Sequence, residues 1–402
     1  MTKILRGVVV IEFVRLTTHL KVVKVYLKQC WQSTNSHRIM RHKRVFGEVM
    51  FWKKSESQKP APADAHFTDE QRARLRAFRL PSWQQPVPDD WWLKEGDRII
   101  LNLPFAAHER LLQDLANEDC FSGYTVSVRC TIEKLQNSQP DLPLVYGNVI
   151  VVSSGKGGVG KSSVAVQLAL ALAETGAVVG MLDADVYGPS LPTMLGGADE
   201  KQAMSPQNKL IPHLRHGVHV SSMGYLADAK EAAIWRGPMA SAALQQLFRD
   251  SQWPRLDYLV VDMPPGTGDI QLTLAQKMPI TGAVVVTTPQ NVALADAEKG
   301  IAMFRKMGIP LTGLVENMSY YHCPNCGFEE AIFGRDGGQR VAQSYDVPLL
   351  ARLPLASAVR EALDNGAPLL VSEPEHELNQ PIRAMAAAIA GQLYLQEKTK
   401  CA

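Results

Sequence analysis

The sequence predicts an α/β protein with a mostly parallel sheet covered by helices, preceded by a small N-terminal α+β domain. Three observations carry that reading. From Tyr146 onward, apolar strand-like segments alternate with helical ones. Several of the strands are continuous apolar runs, such as Tyr258-Leu-Val-Val and Ala283-Val-Val-Val, the pattern of strands buried on both faces. Residues 155–162 read Gly-Lys-Gly-Gly-Val-Gly-Lys-Ser, set between the β-branched run Val149–Val152 and the apolar helical stretch Ser163–Glu174.

Taken along the chain, residues 1–65 read as a basic tail and flexible linker. Residues 1–54 hold about a dozen basic groups against two acidic ones, a bias absent later. A disordered tail, or sequence upstream of a true start at Met50, is the plain reading, and an RNA- or membrane-binding arm the rival. Glu56 to Pro62 is polar and proline-containing, as a linker would be. Residues 66–138 form the α+β domain. A short helix is expected over Asp69–Phe78, a strand over Arg98–Leu103, a helix over Ala106–Asn117 with Leu111, Leu112 and Leu115 on one face, and an alternating strand over Tyr124–Leu135. Gln136–Leu144 reads as a linker. Residues 145–396 form the main domain, with strands at 149–153, 178–182, 257–262, 283–288, 311–316 and 348–353 and a helix over Ala293–Met307.

Composition sets bounds. The chain has 402 residues, enough for about two domains. A net charge of +2 gives no general affinity for nucleic acid or acidic membrane. No stretch is long and apolar enough to span a bilayer. Six cysteines in a chain this long make no disulfide framework, so a reducing, cytoplasmic compartment is expected.

Strand, glycine loop and helix are the context in which residues 155–162 bind phosphate. Glycines let backbone N–H groups turn inward around phosphate oxygens, and the following helix points its positive end at the same anion. The expected nucleotide set is Gly155, Lys156, Gly157, Gly158, Val159, Gly160, Lys161, Ser162 and Ser163, with Lys161 on the β- and γ-phosphates and the Ser162 hydroxyl on Mg²⁺. Two further strands end in carboxylates, Asp183-Ala-Asp185 and Asp262-Met-Pro-Pro-Gly-Thr-Gly-Asp269. Open α/β sheets bind ligands at that end. Asp262 is the expected acidic partner of Mg²⁺, and Asp185 the preferred group for positioning an attacking water. Asp183 is the second candidate for that role, with helix or turn capping as its structural alternative. Asn317, after the 311–316 strand, suits the adenine edge, because a carboxamide both donates and accepts; a turn asparagine is the alternative. Lys156 is a second lysine in a loop already served by Lys161. It is expected to cross a two-fold interface to a partner's phosphates, as an arginine finger does, rather than sit in solvent.

Cys323-Pro-Asn-Cys326 places two thiols together. Structural zinc and the common iron–sulfur clusters want about four ligands, and no second close pair exists in the chain. A two-fold dimer brings the count to four. From the residues alone, zinc and iron–sulfur stand equal, with a redox disulfide as a third reading.

With these motifs assembled, the chain resembles the Mrp-type iron–sulfur cluster carriers, within the MinD/ParA group of P-loop ATPases. The resemblance covers roughly residues 145–395 and rests on Ser153–Ser162, Asp183–Ser190, Trp235-Arg-Gly-Pro-Met239, Asp262–Asp269, Thr288-Pro-Gln290, Val315–Ser319 and Cys323–Cys326. It implies a P-loop NTPase fold and a signature lysine at Lys156. It further implies a homodimer that bridges a [4Fe–4S] cluster through Cys323 and Cys326, and ATP-dependent delivery from scaffold or donor proteins to apo iron–sulfur proteins. The rival from the same group is a spatial-organising ATPase on membrane or DNA. Membrane versions need a basic amphipathic C-terminal helix, whereas Pro381–Gln396 is alanine-rich with few basic residues.

Overall fold

The computed structural model describes residues 7–13, 23–29, 67–81, 83, 86–138, 146–226, 237–323 and 325–401. Apart from two short segments, the tail and linker of residues 1–65 therefore lie outside it, as do Met50, most of the 136–144 linker, and Trp235 and Arg236. Those two segments, β1 (Gly7–Phe13) and β2 (Val23–Gln29), pair antiparallel and belong to a unit of their own.

The second unit, 63–402, starts with α1 (Asp69–Ala77). Its boundary is chemical: Thr68 accepts from the Gln71 N–H while the Gln71 side chain accepts from the Thr68 N–H, a reciprocal capping box. Strands β3 (Trp92–Glu95), β4 (Arg98–Leu103) and β5 (Thr125–Cys130) form a three-stranded sheet, β4 parallel to β5. The helix expected over 106–117 is reduced to a 3₁₀ turn, Glu109–Leu112, and the single turn α2 (Gln113–Ala116). Ala106 and Ala107 precede it, their N–H groups donating to the Tyr258 hydroxyl and the Cys130 sulfur. His108 then caps the turn by accepting from the Arg110 N–H.

The main sheet is nine-stranded among the described residues. Its elements in chain order begin with β6 (Tyr146–Ser153), α3 (Lys161–Glu174), β7 (Val179–Asp183), α4 (Leu191–Met194), β8 (His213–Arg215), β9 (Val218–Ser222) and α5 (Gly237–Asp250). There follow β10 (Leu256–Asp262), α6 (Asp269–Lys277), β11 (Gly282–Thr287), α7 (Asn291–Lys306), β12 (Leu311–His322) and β13 (Glu329–Glu330). The chain ends with α8 (Gly337–Ser344), β14 (Leu349–Leu355), α9 (Ser357–Asp364), α10 (Leu369–Ser372) and α11 (Asn379–Cys401). The order is β13-β12-β11-β6-β10-β7-β9-β8, with β14 on the other side of β12, and only β8–β9 and β12–β13 are antiparallel.

Alternation along the central strands divides the core. Ile150, Val152, Tyr258, Val260, Val284 and Val286 face α3 and α11; Val149, Val151, Leu259, Val261, Ala283 and Val285 face α5, α6 and α7. The first face also carries the small domain. Trp83, Trp91 and Phe105 pack with Tyr394 of α11, ring centres 5.6–6.2 Å apart. Gly391 makes room for them: a Cβ there would meet Trp83 and Phe105 at 2.9 and 3.3 Å. Its apolar side chains thus committed, with Ile382, Met385, Ile389 and Leu393 all buried, α11 is a core helix rather than a surface one.

Because one core spans both segments, they are expected to unfold together. Phe105→Ala should cost about 3–5 kcal/mol, with tryptophan fluorescence and far-ultraviolet circular dichroism shifting to the same lower midpoint. Two separate midpoints would show that the small domain folds on its own.

Candidate functional site

The phosphate loop sits where β6 ends and α3 begins, at the carboxyl edge of the sheet. Its glycines have different tasks. Gly155 lies against the Asp296–Ala297 backbone of α7, leaving no room for a side chain. Gly158 and Gly160 have φ of +82° and +81°, which a residue with a Cβ adopts at a cost. Gly157 and Gly158 border open space, a cradle that side chains would fill. The loop is braced from outside: the Ser154 hydroxyl donates to the Lys156 carbonyl (2.9 Å), and the Gly266 N–H donates to the Ser154 carbonyl (2.9 Å). Ser162 and Ser163 are half-buried in the first turn of α3, and the Lys156 side chain is exposed with no partner among the described residues.

Lys161 is turned inward. Only 6% exposed, its ammonium donates to Asp262 Oδ1 at 2.6 Å and to the Ser162 hydroxyl at 3.1 Å. Asp262 is fully buried, and its Oδ2 has no hydrogen-bond partner. A buried carboxylate oxygen without a partner, beside a serine hydroxyl, is a fitting donor set for a hard divalent cation. Burial pushes Asp262 above the usual carboxylate range, and the Lys161 ammonium pulls it back.

Asp183 stands beside Asp262 in the register of β7 and β10. The structure commits it to capping, the alternative raised from the sequence. Its carboxylate accepts from the N–H groups of Asp185 (3.2 Å), Ser190 (3.1 Å) and Leu191 (3.2 Å) and from the Ser222 hydroxyl (3.0 Å). Burial, and next the Asp262 carboxylate, push it up to about 7 against those donors. Asp185, half-buried, accepts from the Gly188 N–H (3.3 Å) and has far fewer donors around it than Asp183 among the described residues.

Asn317 reaches the loop from the other side. Its amide donates to the Val159 carbonyl at 2.9 Å, and it is the atom a Cβ on Gly160 would strike. Here it braces the phosphate loop, leaving Oδ1 as its remaining handle for a base. Sequence reasoning missed its neighbour. Glu316 is 1% exposed and accepts from the Ser319 hydroxyl and the Gly338 N–H, both at 2.5 Å, with Arg352 at 3.7 Å. The available signal was a carboxylate ending the apolar run Leu314-Val315, which a buried parallel strand tolerates only with partners.

Strand β12 runs on past Asn317 to His322, six residues beyond the expected end. Cys323 and Cys326 lie in the turn that joins it to β13, pinned by Cys323 N–H to Phe328 carbonyl and Gly327 N–H to Cys323 carbonyl bonds, both 2.9 Å. Cys326 is exposed and Cys323 half-buried. Hydrogen bonds from the Asn325 and Cys326 N–H groups hold the Cys323 thiol below its usual range, which favours the thiolate that binds metal. Among the described residues no group of three or more His, Cys, Asp or Glu side chains could hold a metal ion, so no third such side chain is grouped with this pair there. Phe328 and Ile332, 64% and 51% exposed, lie close by in sequence.

Residues 146–390 match the ParA family model, described as NUBPL iron-transfer P-loop NTPase. A protein of Salmonella typhimurium named iron-sulfur cluster carrier protein is 55% identical over 266 residues, 66% of this chain and 72% of its own length. One of the same name from Escherichia coli K12 is 54% identical over 318 residues, 76% of this chain and 85% of its own. Among solved structures, a nucleotide-binding protein in complex with ADP from Archaeoglobus fulgidus superposes with a TM-score of 0.51 at 37% identity, covering 58% of this chain and 91% of the other. The phosphate loop, the two aspartate-ending strands and the family match lead to one conclusion: the chain belongs to the ParA family of NUBPL-type iron-transfer P-loop NTPases.

Proposed function

We propose that this chain carries iron–sulfur clusters, as a homodimer in which Cys323 and Cys326 of each copy supply four thiolates to one [4Fe–4S] cluster, and that ATP binding and hydrolysis time its delivery. The observation that carries the proposal is the position of the thiol pair: it lies just beyond the strand whose Asn317 touches the phosphate loop, with no third metal-binding side chain grouped with it among the described residues. The cluster is cargo, received from a scaffold or donor protein and passed to apo iron–sulfur proteins in the cytoplasm. Relatives named as cluster carriers at 54–55% identity support this reading over a spatial-organising ATPase, and over zinc bridging the dimer.

At the nucleotide end, the Gly155–Gly160 amides take the phosphates. Lys161 exchanges Asp262 for the β- and γ-phosphate oxygens, and Ser163 completes the first turn around them. Ser162 and Asp262 hold Mg²⁺, which when bound neutralises phosphate charge. Asp185 orients the attacking water. Lys156, exposed and unpaired, reaches the partner's nucleotide, so closing the dimer and hydrolysing ATP become one event. Phosphoryl transfer of this kind rests on positioning and charge, which suits a slow, switch-like ATPase.

Two outcomes test this. After anaerobic reconstitution and desalting, the wild-type chain should be brown, with iron and sulfide in matching amounts. Cys323→Ser and Cys326→Ser should each lose most of both while keeping ATP affinity; zinc retained without sulfide would support the zinc reading instead. Lys161→Ala should weaken ATP binding by at least about tenfold, equivalent to ~1.4 kcal/mol, and reduce ATP-dependent transfer to an apo acceptor to the nucleotide-free rate. Transfer by that variant at the native, ATP-stimulated rate would exclude coupling.

A further inference from the structure

The segment joining the phosphate loop to the thiol hairpin is irregular in a specific way. Strand β12 pairs with β14 at Glu316↔Arg352 and again at Tyr320↔Pro354, so three residues, 317–319, stand opposite the single Leu353. Within that bulge Met318 has φ of +53°, a left-handed backbone that a side-chain-bearing residue holds only when its surroundings impose it. Those surroundings are visible on both sides. Asn317 is tied to the Val159 carbonyl, and the Met318 methyl is 3.5 Å from where a Cβ on Gly160 would stand. Ser319 is tied to Glu316, itself fixed by the Gly338 N–H at the start of α8. Before the bulge β12 is locked into the central sheet through Glu316↔Thr287 of β11; beyond it, pairing continues only with β14 and β13, up to the Cys323 turn.

We propose that Glu316–Ser319 is the element that transmits the state of the phosphate loop to the thiol pair, with Asn317 as the positioning residue on the loop side and the Ser319–Glu316 bond as the fixed point. Nucleotide entering the loop reorders the Val159–Gly160 backbone, which is the acceptor of Asn317. The bulge, with Met318 at a positive φ, is the part of this stretch of the strand that can yield to that change. The residues after it, 320–323, follow as a lever of about 10 Å at ~3.3 Å per residue. This deepens the carrier reading and rests on it for its biological meaning, but it can be tested without a cluster.

The test is hydrogen–deuterium exchange on the full-length, metal-free chain, with and without ATP at a concentration saturating for each variant by its own measured affinity. In wild type, ATP should change exchange of the 320–330 amides by about tenfold. Asn317→Asp, which keeps the shape but loses the donor, and Ser319→Ala, which removes the bond to Glu316, should each reduce that change to less than about twofold; Ser319→Thr should restore it. A mere packing role would alter exchange equally in both nucleotide states and leave the ATP-dependent difference intact, which overturns the proposal. So does a wild-type chain with no ATP-dependent change over 320–330. A chain that shows the coupled exchange yet retains no iron or sulfide keeps this inference and loses the carrier reading.

Discussion

The buried ion pair between Lys161 and Asp262 is the interaction on which the site depends. An ammonium that is 6% exposed requires a counter-charge, and Asp262 supplies it at 2.6 Å from the end of the central strand β10. Removing either partner of such a pair would leave an uncompensated buried charge, at a cost of about 3–5 kcal/mol. The pair therefore holds the start of α3 against the sheet, and in the proposed function it is the contact that phosphate replaces. Asp183 lies beside it and is held in place by four donors, so the three charged groups form one buried cluster at the carboxyl edge.

That cluster is linked to the thiols through the phosphate loop and β12. β6 supplies the phosphate loop, Asn317 ties the loop to β12, and β12 ends at His322, the residue before Cys323. A strand is stiff along its length and compliant at a bulge, and the longest irregularity in β12, residues 317–319, lies beside the phosphate loop. At the far end Cys326 is exposed and Cys323 half-buried, which suits the proposed exchange of cargo with other proteins.

The main sheet was legible in the sequence because parallel strands buried on both faces leave continuous apolar runs, and β6, β10 and β11 are such runs. The phosphate loop was legible because its glycines answer a backbone requirement that few other residues meet. The edge hairpin β8–β9 was missed; with residues such as His213, Arg215 and His219 on a half-solvated edge it carries little periodic signal. β12 was expected to stop at Glu316 because its apolar run stops there, but a buried carboxylate with an N–H and a hydroxyl as donors can stay inside a sheet. Asp183 and Asp185 looked alike as strand-end carboxylates, and only the four donors around Asp183 separate capping from availability. Ala106–Asn117 has helical spacing, yet long-range bonds to Tyr258 and Cys130 hold its first residues extended.

In the proposed carrier, two thiols per chain become a complete ligand set only when two chains meet. Native mass spectrometry of the anaerobically loaded protein reads this directly. The account predicts one species of two chains carrying the mass of a single four-iron, four-sulfide cluster, converted to apo monomer when the iron is chelated. Loaded single chains, or a dimer whose mass includes zinc and no sulfide, would contradict it.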